Sequence, residues 1–133
     1  MAISALAKKL QIKPGMKVAL LNAPTDAAAA LRPLPDGASV SGGTTADAVI
    51  AFARDDAELR KIAPQAVKAL KTDGLLWLAY PKGSAKMKTD LNRDVLREAV
   101  AERHGLEGVS LVAVDETWSA MRFRPKAGGT TTR

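Results

Sequence analysis

The chain has 133 residues, a formal net charge of +6 and no cysteine. This length fits one domain with a single core, and the lack of cysteine excludes disulfides and thiolate metal sites. No apolar run reaches the roughly 18 residues that a membrane span needs, and residues 1–10 do not have the pattern of a signal peptide, so we expect a cytoplasmic protein with no membrane partner.

The positive charge is concentrated near the end of the chain. Its last twelve residues include Arg122, Arg124, Lys126 and Arg133. Such a segment can contact nucleic-acid phosphates, but it also maintains solubility and protects an edge strand from pairing. The second explanation is the simpler one, so we disfavour nucleic acid as a partner. We predict a single domain over 1–124 and a disordered basic tail over 125–133.

Helical periodicity and short apolar runs alternate along the sequence. Residues 2–11 have apolar side chains at helical spacing, and the apolar run Met16–Leu21 after the turn Pro14-Gly15 is typical of a buried strand. The further predicted helices cover 26–31, about 56–71 and 91–103, and the further predicted strands cover 38–41, 46–53, 75–80, 109–114 and 118–124.

The ends of these elements also have sequence signals. Asp73-Gly74 predicts a turn before the strand at 75–80, and Gly105 predicts the end of the fourth helix. The predicted N-caps of the last three helices are Thr25, then Asp55 or Asp56, then Asp90 or Thr89.

Strands that alternate with helices predict a three-layer, Rossmann-like α/β fold with a mostly parallel sheet of about six strands. The connection at Asp115–Thr117 is too short for a parallel crossover. We therefore expect the last two strands to form an antiparallel hairpin.

Two segments resemble landmarks of class I methyltransferases. KPGMKVALLNAP (13–24) is similar to the approach and first strand of that fold, and LKTDGLLWLAYP (70–81) is similar to the helix end and strand that follow its substrate site. ADAVIAFA (46–53) stands where the strand between them belongs. The resemblance implies a methyltransferase-like fold.

The chain lacks the residues with which class I methyltransferases would bind the methyl donor. The donor needs a glycine-rich turn after the first strand, because the backbone approaches the ligand closely there. Here that turn, residues 22–26, contains no glycine, and the second strand ends in Ser41-Gly42-Gly43 without an acidic residue. We therefore expect no cofactor and disfavour donor-dependent methyl transfer.

Three further motifs together resemble a family of small bacterial domains of unknown function. The chain combines KKLQIKPG and LLNAP within 8–24, the sequence YPK at 80–82, and DETWS at 115–119. This resemblance covers nearly the whole chain, and it implies the fold but no particular activity.

Ligands of parallel α/β sheets bind beyond the carboxyl ends of the strands. The residues expected at this edge include one amide, one lysine, two carboxylates and two aromatic rings. The candidate ligand-binding or partner-binding residues are Asn22, Tyr80, Lys82, Asp115, Glu116 and Trp118.

Each candidate also has a structural explanation, and the sequence leaves both open. Asp115 and Glu116 suit a turn, while Tyr80 and Trp118 suit core packing as well as stacking on a planar ligand. Lys82 begins a basic loop that either binds an anion or is simply solvated.

No catalytic residue and no metal ligand are predicted. His104, the only histidine, precedes a glycine at a helix end, where a cation is favoured by the helix dipole. Asp115 and Glu116 are adjacent, so on a strand they would point to opposite faces and make a poor acid and base pair.

Our first hypothesis is therefore a non-enzymatic binding or interaction module, which holds a small anionic molecule or a protein segment at the carboxyl edge of the sheet. One alternative is an enzyme, distantly similar to transferases, with a non-standard site at the same edge. A second alternative is a nucleic-acid accessory protein that uses the basic tail.

Overall fold

The computed structural model describes residues 3–41, 45–82 and 89–125. They form four helices, α1 (Ala5–Lys9), α2 (Thr25–Ala30), α3 (Asp56–Ala69) and α4 (Arg93–His104), and six strands, β1 (Lys17–Leu21), β2 (Ser39–Ser41), β3 (Ala46–Phe52), β4 (Leu70–Pro81), β5 (Leu106–Ala113) and β6 (Trp118–Pro125). None of these helices is long and apolar enough to cross a membrane.

The six strands make one sheet in the order β2-β1-β3-β4-β6-β5. The first four strands in this order are parallel to one another, and β6 pairs antiparallel with both β4 and β5. This arrangement confirms the predicted mostly parallel α/β sheet with a C-terminal antiparallel hairpin. It also places the carboxyl ends of β1, β3 and β4 at one edge of the sheet.

Successive side chains of each strand point to opposite faces of the sheet, so the hydrophobic core has one part on each face. On one face α1 and α2 pack against side chains such as Ile50, Trp77 and Ala120. On the other face α3 and α4 pack against side chains such as Val49 and Leu78. The three-layer architecture follows, because each face needs its own apolar cover.

The helix ends show which capping signals were correct. Asp55 caps α3 by accepting a hydrogen bond from Glu58 N at 2.9 Å, and Gly105 ends α4 in the left-handed conformation with φ 67°, as predicted. The prediction for α4 was wrong at its start, because Asn92 is the N-cap.

Thr25 was also wrongly assigned as a cap. It is the first residue of α2, and the N-cap position is held by Pro24, which makes no side-chain cap bond.

Strand β4 differs most from its prediction. It starts at Leu70, directly after α3, and the expected turn at Asp73-Gly74 lies inside it. Ala46 pairs with Leu70 and Ala48 with Leu75, so residues 71–74 lie opposite Asp47 alone. The glycine therefore marks a bulge in a paired strand, which is a common role of glycine within sheets.

Two predicted segments fall largely outside the described residues. The rest of the predicted basic loop that begins at Lys82 lies within residues 83–88, and the rest of the predicted tail lies within residues 126–133. Pro125 itself is the last residue of β6.

Trp77 provides a direct test of this core. It is fully buried, and its Nε1 donates to Leu10 O at 3.1 Å. We expect Trp77→Phe to lower the free energy of unfolding by roughly 1–3 kcal/mol, because the smaller ring leaves space and the carbonyl loses its partner. Urea denaturation followed by circular dichroism measures the change.

Leu111→Ala is the control for this substitution, because Leu111 is 43% exposed. It should cost less than about 1 kcal/mol. Equal losses for both variants would contradict the role assigned to Trp77.

Candidate functional site

The carboxyl edge of the sheet begins with Asn22, the residue after β1. Asn22 has φ 59°, in the left-handed region that asparagine tolerates better than most residues. Its Nδ2 donates to Phe52 O at 2.8 Å and to Glu58 Oε1 at 3.2 Å. The side chain therefore joins the ends of β1 and β3 to α3, and it does not cap the helix that follows.

Glu58 is the centre of a small polar network at this edge. Its Oε1 accepts from Arg54 N at 2.8 Å, and its Oε2 accepts from Arg54 Nε at 2.9 Å. The hydrogen bonds from the Arg54 side chain are the main reason that the pKa of Glu58 lies below its ordinary value. This carboxylate is charged at neutral pH and fully engaged in holding the edge together.

The hairpin between β5 and β6 is stabilised by Asp115. Its Oδ1 accepts hydrogen bonds from Thr117 N and Trp118 N, both at 2.8 Å, while Glu116 is exposed at the tip. The hairpin also contacts β4, because Lys82 N donates to Thr117 O at 2.8 Å. Asp115 therefore has a structural role in the turn, and Lys82 contributes its backbone to the same junction.

The two aromatic candidates lie on opposite faces of the sheet. Trp118 is buried on the α1 and α2 face, where its ring meets Phe52 edge-on with centroids 5.1 Å apart. Tyr80 is buried on the α3 and α4 face. Burial is the main reason that the pKa of Tyr80 is raised. The two rings therefore do not line one common surface.

A cavity of about 390 Å³ opens at this edge beside Asn22. We call it the carboxyl-edge cavity. Its lining residues are Asn22, Ala23, Pro24, Arg54 and Trp118. Of the six predicted site residues, Asn22 and Trp118 are brought together here.

Arg54 is the residue of this cavity that the sequence reasoning did not single out. Its side chain is 62% exposed although it pairs with Glu58. The available signal was a cation placed two residues after the buried strand β3. That position puts it at the carboxyl edge in any parallel arrangement of β1 and β3.

A second cavity of about 380 Å³ lies on the other side of Asn22. Its walls include Leu21, Asn22, Glu58 and Lys61. Asn22 therefore forms part of the wall of both cavities.

The described residues form no metal-binding cluster at this edge, and the only histidine lies elsewhere. Within the described part of the chain, no three His, Cys, Asp or Glu side chains could hold a metal ion together. His104 ends α4 and is separated from the start of β5 by Gly105 alone, so it lies at the opposite, amino edge of the sheet. Its pKa is lowered, chiefly by burial and further by Arg103.

Several solved structures with a similar fold are methyltransferases or complexes with SAM or SAH. A complex of DhpI with SAH has a TM-score of 0.62 at 13% identity, covering 91% of this chain and 82% of that one. A SAM-dependent methyltransferase from Aquifex aeolicus has a TM-score of 0.57 at 12% identity, covering 89% and 86%. Phosphoethanolamine N-methyltransferase 2 from Haemonchus contortus reaches 0.60 at 16% identity, but this chain spans only 40% of it.

These likenesses define the class of fold, which is methyltransferase-like. No curated protein matches the sequence. Residues 7–127 match the family described as protein of unknown function (DUF3052), and the chain belongs to that family. The resemblance to a family of unknown function and to the methyltransferase fold is thereby confirmed.

The structural role of Asp115 leads to a prediction about three variants. Asp115→Ala removes the acceptor of two backbone N–H groups, so we expect a loss of about 1 kcal/mol in the free energy of unfolding. Asp115→Asn keeps an oxygen at the same position and should be close to wild type. Glu116→Ala is the exposed control and should have no effect. Chemical denaturation measures all three, and a neutral Asp115→Ala would contradict the role in the turn.

The Glu58 network leads to a second prediction, on pH dependence. A carboxylate with a lowered pKa contributes stability that is fully present above its ordinary pKa and is lost as the pH falls through the lower folded-state value. We therefore expect Glu58→Gln to lose less stability than wild type as the pH falls below about 4.5. Thermal unfolding between pH 7 and pH 3 measures the difference.

Glu98→Gln is the matched control, because Glu98 is exposed on α4. Its pH dependence should follow that of wild type. If Glu58→Gln and Glu98→Gln give the same curve, the network does not stabilise the fold.

Proposed function

We propose that this domain is a non-enzymatic binding module whose ligand site is the carboxyl-edge cavity. The observation that carries this proposal is the position of Arg54, a largely exposed guanidinium in the wall of a cavity of about 390 Å³. Such a cavity lies where ligands of parallel α/β sheets bind. The chemistry of its walls favours a small molecule with an anionic group.

The guanidinium retains the capacity to bind an anion. Its Nε and Nη2 donate to Glu58 Oε2, and an arginine fork has further N–H donors on the remaining side. Pro24 and Ala23 add apolar surface next to it. A ligand with a carboxylate or phosphate and a less polar body would match both parts of the wall.

The hydrogen bonds at this edge support binding more than catalysis. Asp115 is engaged by two backbone N–H groups, and Glu58 is engaged by Arg54 and Asn22. A general acid or base needs to reach the substrate with a proton it can exchange. These two carboxylates are instead acceptors in structural contacts.

The enzyme alternative rests on the fold of the methyltransferases that this chain resembles. The turn after β1 has Asn22, Ala23 and Pro24 where a methyl-donor site would need glycines. Their side chains occupy the space that glycines would leave open. SAM and SAH are therefore included as test ligands, and they serve to separate the two functions.

The test is a thermal-shift screen of wild type, Arg54→Gln and the control Arg60→Gln with nucleotides, SAM, SAH and succinate. We expect one anionic ligand to raise the Tm of wild type, since a ligand at about 100 times its dissociation constant adds about 2.7 kcal/mol. Arg54→Gln should weaken binding about tenfold or more, because a charge-assisted hydrogen bond is lost. Isothermal titration would confirm the change in affinity.

Arg60→Gln is the matched control. Arg60 also pairs with an acidic residue four positions away on α3, and its side chain is 63% exposed, but it does not line the cavity. Its ligand response should equal that of wild type. A response that Arg54→Gln leaves unchanged would overturn the proposed site, and methyl transfer from bound SAM would establish the enzyme instead.

A further inference from the structure

A third cavity, of about 270 Å³, lies at the opposite, amino edge of the sheet. We call it the amino-edge cavity. Its lining residues are Gln11, Lys13, Met16, Asp47, Lys71, Gly74 and Leu75. They come from the segment between α1 and β1 and from the first halves of β3 and β4, so this cavity shares no residue with the carboxyl-edge cavity.

We propose that the amino-edge cavity is a separate binding site for a small oxyanion, a phosphate or a carboxylate. Three features of its walls support this assignment, which does not depend on the function proposed for the other edge.

The first feature is the charge of the walls. Asp47 already accepts hydrogen bonds from Lys17 N at 2.8 Å and from Lys71 Nζ at 3.0 Å. Its negative charge is therefore balanced by Lys71, whose ammonium group has further N–H donors. Lys13 is exposed and adds a positive charge to the same cavity.

The second feature is the bulge of β4. Residues 71–74 lie opposite Asp47 alone, and the bulge presents Lys71 and Gly74 to the cavity. Gly74 is packed tightly, since an added Cβ would lie 2.7 Å from Leu70 Cδ1 and 2.9 Å from Asp47 O. Bulges are frequent next to functional sites, where they redirect side chains.

The third feature is the backbone of Gln11. Helix α1 ends with Gln11 N donating to Lys8 O at 3.1 Å and Ile12 N donating to Ala7 O at 3.0 Å. This is a Schellman arrangement, whose left-handed residue is usually glycine. Gln11 occupies that position with φ 63°.

The same chain uses glycine where a helix needs only to end. Gly105 has φ 67° at the end of α4. A glutamine in the left-handed region costs stability, and this glutamine lines the cavity. We infer that its side-chain amide is kept for a ligand at the expense of stability.

The experiment uses the full chain labelled with ¹⁵N and titrated with inorganic phosphate and, separately, with succinate at constant ionic strength. We expect saturable shifts of the Gln11 side-chain amide and the Gly74 backbone amide. The stronger of the two probes identifies the phosphate or the carboxylate as the preferred group.

Three variants connect these shifts to the walls of the cavity. Lys13→Met should raise the apparent dissociation constant about tenfold, while Lys68→Met, an exposed lysine of α3 outside the cavity, should leave it unchanged. Gln11→Gly should raise the Tm by about 2–4 °C and weaken the binding of the probe.

The opposite results would overturn the site. These are the lack of a saturable shift with either probe, shifts that map to Arg54 and Asn22 instead, or unchanged binding in Lys13→Met. Arg54→Gln separates the two cavities, because it should leave the shifts of Gly74 intact whether or not the carboxyl-edge cavity binds a ligand.

Discussion

The hydrogen bond from Asn22 Nδ2 to Phe52 O fixes the carboxyl edge of the sheet. Strands β1 and β3 are paired up to Leu21 and Ala51. The hydrogen bond joins the next residue on each side, Asn22 and Phe52. The left-handed backbone of Asn22 turns the chain away from the sheet at the same point. Asn22 also lines both cavities at this edge.

The same junction explains how a methyltransferase-like fold can exist without a glycine-rich turn. A glycine would supply the left-handed conformation at this position but no side chain. Asn22 supplies the conformation and also two hydrogen bonds, to Phe52 and Glu58. The edge is thereby held together by side-chain contacts at the position where a donor-binding turn would need an open backbone.

The two edges of the sheet have different kinds of irregularity. At the carboxyl edge, Glu58 forms hydrogen bonds with Asn22 and Arg54, and the Arg54 side chain stays largely exposed at the cavity. At the amino edge, the bulge of β4 and Gln11, whose backbone is left-handed, line a cavity that also has two lysines in its wall. Local departures from regular structure cost stability, so their presence around a cavity favours a role beyond folding.

The sequence by itself determined the order of the elements, the parallel sheet and the final hairpin, because apolar runs, helical spacing and short turns are local signals. It also limited the cap of α3 to Asp55 or Asp56, and it located the end of α4 at Gly105. Only the tertiary structure decided that Tyr80 and Trp118 lie on opposite faces of the sheet and that Asp73-Gly74 lies in a bulge of a paired strand. Arg54 and Gln11 likewise gained their importance from strands and helices distant in sequence. The reason is physical: the direction of a side chain and its hydrogen-bond partners depend on the register of neighbouring strands, which no local pattern contains.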